Sequence, residues 1–267
     1  SISWQLRDHV DEYSSGTGEA PDVTRTPESR PPGTDSGNGQ GRFGRIAGVY
    51  DLLDRELSFG LDAYWRRKLI QAVTPFPSRG TARILDLAAG TLEVSVGLAK
   101  KHPRRRILAI DFCLPMLENG CSKLAGPKAL QVYPLVGDGR RLPLPDNSVD
   151  AITIAFGLRN IRPRQEAYRE ALRVLTPGGR FCVLEFGSAR DRIWFGLYNL
   201  YLAYFLPLVG KLVSRDKGAY QYLADTVAAD PSASELAGEM ISAGFTAVRY
   251  RPYTGGIVWL HTGEKPL

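Results

Sequence analysis

Three cysteines in 267 residues, Cys113, Cys121 and Cys182, are too few and too widely spaced for a disulfide framework or a zinc knuckle. An odd count fits a reducing compartment. Cys182 lies inside an apolar strand pattern and reads as a small core residue. No apolar segment stands behind a basic start, so no secretory signal is expected. The acidic residues Glu19, Asp22, Glu28 and Asp35 argue against a mitochondrial transit segment. Internal repeats are absent. The net charge is +6, but the lysines and arginines are scattered. Their only compact run, Lys100-Lys101-His102-Pro103-Arg104-Arg105-Arg106, reads as a solvated helix end and turn, so nucleic acid is not an expected partner.

Apolar content of 43% and charged content of 23% are those of a soluble globular protein long enough to bury a sizeable core. From Ser14 to Gln40 the chain is dominated by Gly, Pro, Ser, Thr, Asp and Glu, which cannot bury enough apolar surface to order itself. Residues 1–42 are therefore expected to be a disordered tail, and residues 43–267 one domain with a helical insertion at about 190–230.

From Phe43 to Val73 apolar residues recur at helical spacing, with Ile46, Tyr50, Leu53 and Leu57 in series. Pro75, Pro77 and Gly80 end that block. Strands are predicted at Arg83–Ala88, Arg106–Ile110, Leu130–Val136, Val149–Ala155 and Arg180–Phe186. Helices are predicted at Leu92–Lys101, Pro115–Leu124 and Arg164–Leu175, the last stopped by Pro177-Gly178-Gly179. This alternation predicts an α/β fold with a doubly wound parallel sheet. A helix over Ser232–Ala243, closed by Gly244, precedes strands at Thr246–Tyr253 and Gly256–His261, which should pair as an antiparallel hairpin. Ile193 to Gly210 carries no charge, yet Gly196, Asn199, Pro207 and Gly210 interrupt it. The segment Ile193–Val213 reads as helices packed on the domain, as a wall for a long apolar substrate, or as a surface that docks on membrane.

In such a sheet, ligands meet the carboxyl ends of the strands. Leu85-Asp86-Leu87-Ala88-Ala89-Gly90-Thr91 is a strand followed by small residues and a helix start, where backbone N–H groups approach a ligand closely. The G-x-G-x-x-G of a dinucleotide site is missing. Asp111 ends the second strand, placed either to accept ribose hydroxyls or to cap the next helix. Gly137-Asp138-Gly139 is a polar turn that suits an adenine amino group or serves as an ordinary turn. Phe156-Gly157-Leu158-Arg159-Asn160 follows the fourth strand. It sets a permanent cation with a planar fork of donors, Arg159, at the mouth of the fold. His261 is a candidate base, or a structural histidine on a terminal strand.

Read in order, Ile84 to Thr91, Asp111, Gly137-Asp138, Leu142-Pro143, Phe156 to Asn160, Arg173-Val174-Leu175, Pro177-Gly178-Gly179 and Leu184-Glu185-Phe186 resemble the ubiquinone/menaquinone biosynthesis C-methyltransferases. Tyr50 to Leu53, Leu57 to Gly60, Tyr220 to Leu223, Ala243-Gly244-Phe245 and Thr254 to Val258 with His261 and Gly263 extend the resemblance from about Phe43 to Lys265. It implies a Rossmann-like class I methyltransferase fold, with a seven-stranded, mostly parallel sheet. It implies S-adenosylmethionine held by Gly90, Thr91, Asp111, Asp138, Gly139 and Ala155. The implied reaction is C-methylation of the ring of a prenylated hydroquinone, demethylmenaquinol to menaquinol. Arg159 would stabilise a phenolate, Asn160 would fix the ring or Arg159, and Tyr50 would bind the cofactor carboxylate or the ring oxygen. The chain departs from the family at Leu92 and Glu93, where a glycine and an aspartate are usual, and at Ala155, where a serine is frequent. Competing readings are a methyltransferase for another apolar acceptor and a non-catalytic quinone- or lipid-binding relative. A cytoplasmic location is expected, with peripheral contact on the inner membrane face and a homodimer left open.

Overall fold

The computed structural model describes residues 61–74, 82–124, 131–187 and 231–267. The N-terminal tail, Tyr50 with the upstream part of its predicted helix, and Ile193–Val213 lie outside the described residues.

The described elements run in the expected alternation: α1 (Leu61–Ala72), β1 (Arg83–Leu87), α2 (Glu93–Lys101), β2 (Arg106–Asp111), α3 (Leu114–Cys121), β3 (Val132–Val136), β4 (Val149–Ala155), α4 (Arg164–Val174), β5 (Leu175–Phe186), α5 (Ala233–Ala243), β6 (Thr246–Tyr253) and β7 (Val258–Glu264). The strands form one seven-stranded sheet in the order β3-β2-β1-β4-β5-β7-β6. β1 to β5 are mutually parallel, and β7 runs antiparallel between β5 and β6. The order reverses between β1 and β4. Connections leaving these two strands therefore diverge and open a crevice at their carboxyl ends.

Period-two alternation sorts the strand side chains onto two faces. Ile84, Ala151, Cys182 and Leu184 join one core with Trp65 and Leu69 of α1, Leu98 of α2 and Leu117 of α3. Leu85, Ile152, Ile154, Phe181 and Val183 join the other with Tyr168 of α4 and Met240 of α5. Both faces are covered, which is why these strands read as near-continuous apolar runs rather than as an alternation.

Helix ends follow local chemistry. Ser232 and Glu235 form a reciprocal capping box at the start of α5, and Gly244 closes it at φ 111°. Two boundaries differ from expectation. β5 begins at Leu175, which already pairs with Val149, and the Pro177-Gly178-Gly179 turn is taken up by a register shift before Arg180 pairs with Ala151. β7 starts later and runs further than its apolar pattern suggests. Thr254–Gly256 form a 3₁₀ turn, and the ladder continues until Glu264 meets Arg180 and Thr246.

Phe181 is fully buried, stacked on Phe245 at 5.0 Å and edge-on to Tyr168 at 6.2 Å. Replacing it by alanine empties the centre of the second core. Phe181→Ala should cost about 3–5 kcal/mol in urea unfolding followed by circular dichroism. A loss below about 1 kcal/mol would mean that this core is not where the fold is held.

Candidate active site

The loop after β1 is built from left-handed backbone. Ala88, Gly90 and Leu92 have φ of 55°, 53° and 67°. Such a run turns successive N–H groups toward one side, which suits a ligand with oxygen acceptors. The Gly90 N–H donates to Asp111 Oδ2 at 2.8 Å, and the Cys113 N–H donates to Asp111 Oδ1 at 2.8 Å. Asp111 thus ties the β1 loop to the β2 loop. Cys113, not Asp111, is the N-cap residue of α3. The Phe112 N–H also bonds this carboxylate, and its four lone-pair sites still leave room for a ligand hydroxyl. Burial pushes its carboxyl above the ordinary range, against the backbone N–H groups that pull it down.

Leu92 answers the question raised by its departure from the family pattern. Its side chain is fully buried and packs toward Gly120 of α3. A Cβ at Gly120 would sit 2.7 Å from Leu92 Cγ and 2.6 Å from the Thr91 carbonyl carbon. The added bulk therefore goes into the core through the absence of a side chain on α3, and not into the ligand crevice. Thr91 is buried as well, and its carbonyl accepts from Lys123 Nζ at 2.9 Å. Lys123 also pairs with Glu93 at 2.8 Å, which gives the second departure a structural role.

Asp138 accepts from Arg140 through its backbone N–H, Nε and Nη2, and this pairing holds its carboxyl below the usual range. Gly139 is buried, and a Cβ there would meet Ile161 Cδ1 at 2.9 Å. Around Asp111 and Asp138 stand three exposed apolar residues, Phe112, Leu114 and Val136, and Val136 is the register partner of Asp111. A carboxylate with spare lone pairs beside an open apolar ledge fits an adenosyl group: ribose on the acid, base on the ledge. Ala155 is half-buried at the end of β4.

Arg159, expected from sequence at the mouth of the fold, is 8% exposed and pairs with Glu185 of its own chain. Glu185 Oε2 accepts from Arg159 Nη1 at 3.1 Å, while Oε1 accepts from the Leu158 N–H at 2.8 Å and the Arg159 N–H at 3.4 Å. The guanidinium lies 5.3 Å from the centre of the Phe186 ring. Phe186 packs on Phe156 at 4.6 Å, and Arg66 approaches the Phe156 ring at 6.0 Å. Phe156 has φ 57°, a conformation rare for a bulky residue and held by this packing. The Asn160 side chain is exposed on the next position of the loop, and its N–H donates to the Gly157 carbonyl at 3.0 Å. His261 is buried and donates from Nε2 to the Ala233 carbonyl at 2.9 Å.

Two carboxylates were not singled out as site residues from sequence, although each interrupts an apolar strand. Glu185 is one. Asp86 is the other: it is 1% exposed and accepts from Ser95 and Thr153. Burial raises its pKa from an ordinary 3.8 to about 6, against the lowering effect of those hydroxyls and of Arg66. Raised on folding, this group favours the folded state most below pH 3.8, and that contribution is lost as pH rises through about 6. The stability difference between Asp86→Asn and wild type should therefore move toward the variant by about 2 kcal/mol between pH 4 and pH 8. Urea midpoints across that range measure it. A difference that stays flat would mean that Asp86 does not carry its charge into the core.

A family model described as the ubiE/COQ5 methyltransferase family matches residues 34–265. The chain is 43% identical to the ubiquinone/menaquinone biosynthesis C-methyltransferase UbiE of Syntrophotalea carbinolica, over 84% of this chain and 93% of that protein. It is 41% identical to the demethylmenaquinone methyltransferase of Thermus thermophilus, over 84% of this chain and 100% of the relative. Its fold is similar to that of an S-adenosylmethionine-dependent methyltransferase from Thermotoga maritima, with a TM-score of 0.60 at 19% identity, covering 84% of this chain and 97% of the other. It is also similar to phosphoethanolamine N-methyltransferase 2 of Haemonchus contortus, whose structure holds S-adenosylmethionine, with a TM-score of 0.58 at 13% identity, covering 81% and 60%. Sheet order, crevice and near-full-length identity agree: the chain belongs to the ubiE/COQ5 methyltransferase family.

Proposed function

We propose that this chain methylates a ring carbon of a prenylated hydroquinone, using S-adenosylmethionine as donor, and that its reaction is demethylmenaquinol to menaquinol. The observation that carries this reading is the 41–43% identity to relatives named for that chemistry over nearly their whole length. The donor supplies a methyl group on a sulfonium, which is electrophilic without further activation.

The donor end falls to Gly90, Thr91, Asp111, Asp138, Gly139 and Ala155. Asp111 accepts ribose hydroxyls with its spare lone pairs, and the ledge of Phe112, Leu114 and Val136 receives the base. The paired Asp138 leaves less capacity for an adenine amino group than a lone aspartate would, so the apolar ledge carries more of the binding.

The acceptor end falls to the Phe156–Asn160 loop. A neutral aromatic carbon is a poor nucleophile, and loss of a phenolic proton pushes charge onto the ring. Arg159 is always protonated, so it serves as an anion partner rather than a direct base. Glu185 engages one guanidinium nitrogen and leaves other N–H groups of the fork for a ring oxygen. Burial keeps water away and strengthens each such bond. Asn160, exposed beside it, would orient the ring. Tyr50 is assigned to the same end from sequence alone.

The segment Ile193–Val213, uncharged as far as Gly210, supports a wall for the prenyl tail and peripheral contact with membrane, since a long-tailed quinol resides in the bilayer. Among the described residues no helix is long and apolar enough to cross a membrane.

The direct test is methyl transfer to demethylmenaquinol and to a benzoquinol analogue under reducing conditions. Methylated menaquinol is the expected product, and transfer to neither acceptor would refute the reading. In the same assay Arg159→Lys should keep the fold and the charge but lose the planar fork, lowering turnover by about 10²-fold or more. Wild-type turnover in that variant would remove Arg159 from the chemistry.

A further inference from the structure

Period-two alternation puts Glu185, Trp259 and His261 on one face of the sheet, with Glu185 and Trp259 directly opposite in register and Val183 opposite His261. With Arg159, Leu158 and Ala233 they line a small pocket beside the carboxyl end of β5, with room for little more than a water or a hydroxyl group. Two buried polar atoms on these residues have no hydrogen-bond partner: Trp259 Nε1 and His261 Nδ1. A buried polar atom without a partner calls for an explanation, because its desolvation is uncompensated.

The state of His261 follows from its surroundings. A carbonyl can only accept, so Nε2 carries the hydrogen that bonds to Ala233. Burial lowers the pKa of the imidazole, which favours the neutral ring. In that tautomer Nδ1 bears a lone pair. Tyr250 stacks on the ring at 5.6 Å and fixes its plane. A neutral imidazole, clamped at one nitrogen by a carbonyl and open at the other, is the arrangement of an oriented base.

We propose that His261 accepts the proton of a ring hydroxyl of the quinol at Nδ1, directly or through one water, while Arg159 stabilises the oxyanion left behind. This rests on the acceptor class given above. The O–H bond breaks, its electron pair stays on oxygen, and the proton forms an N–H bond at Nδ1. As the ring carbon bonds the methyl group, the donor's S–CH3 bond breaks with its pair on sulfur, leaving a neutral thioether; the C–H proton then leaves to water and the ring regains aromaticity. The oxygen then recovers the proton from the imidazolium, so one proton is released per turnover. The charges facing His261 allow this cycle. Glu185 on β5 and Arg159 after β4 form one ion pair, and Arg164 at the start of α4 forms another with Glu239 on α5. Both pairs are compensated before the imidazole titrates, and Tyr250 of β6 adds a neutral ring.

His261→Gln retains an amide N–H for the Ala233 carbonyl and removes the base. Calorimetric affinity for S-adenosylhomocysteine should stay within about twofold, while kcat falls by about 10²-fold or more. The acid limb of the wild-type pH–kcat profile should be replaced by a line rising with pH. Wild-type kcat, or a lower kcat with the acid limb unchanged, would overturn the proposal. Nitrogen NMR of the folded wild-type protein gives an answer even if the variant does not fold. The Nδ1 resonance should be that of an unprotonated nitrogen and should move when 1-naphthol, a phenol that needs no reductant, is titrated in. An Nδ1 that is protonated, or unmoved at saturating 1-naphthol, would also overturn it. A wild-type enzyme that methylates no hydroquinone refutes the acceptor class, whereas a normal His261→Gln enzyme refutes the base alone.

Discussion

Glu185 is the residue on which the Phe156–Asn160 loop, the proposed acceptor end, depends. Its carboxylate, buried at the end of β5, accepts two backbone N–H groups and the guanidinium of the loop that leaves β4. Those bonds fix a loop whose first residue has positive φ, press Arg159 against Phe186, and offset the cation's charge in a dry setting. Removing either partner of such a pair leaves a buried charge uncompensated, at a cost of about 3–5 kcal/mol. The guanidinium is thereby oriented before any ligand arrives. A fixed donor needs no reorganisation when negative charge develops on a ring oxygen.

Asp111 does the corresponding work at the proposed donor end, with one difference. Its bonds go to backbone N–H groups on two loops, so it sets the distance between the β1 turn and the β2 turn. Asp86 lies beneath, buried among hydroxyls on α2 and β4, and joins the same loop region to the sheet interior. Three acids near the carboxyl ends of β2, β1 and β5 thus tie loops and strands together within the protein. His261 shares a small pocket with Glu185 and Arg159.

Much of the fold was legible in the sequence because both faces of the sheet are covered. Runs such as Ile84-Leu85 and Val183-Leu184 announce buried strands, and Gly244 and Ser232 announce helix ends by their own chemistry. The ends of β5 and β7 were not legible, since pairing across the sheet rather than local preference extends them. The position of Asp111 at the end of β2 was legible, and its hydrogen bonds to two loops were not. Arg159 stood out as a cation after β4, but its partner lies 26 residues away on β5, a separation that no local pattern reports. The burial of Leu92 depends on a missing side chain at Gly120, which only the packing of α3 reveals.

The central claim is that the Glu185–Arg159 pair organises the acceptor end while leaving the donor end intact. Glu185→Gln tests it most directly, because the amide keeps the shape and one acceptor but removes the charge. Donor affinity and turnover on demethylmenaquinol should be measured on one folded sample. The expected result is S-adenosylmethionine binding within about twofold of wild type, with turnover lowered by about 10²-fold or more. Unchanged turnover, or loss of donor binding and turnover together, would contradict it.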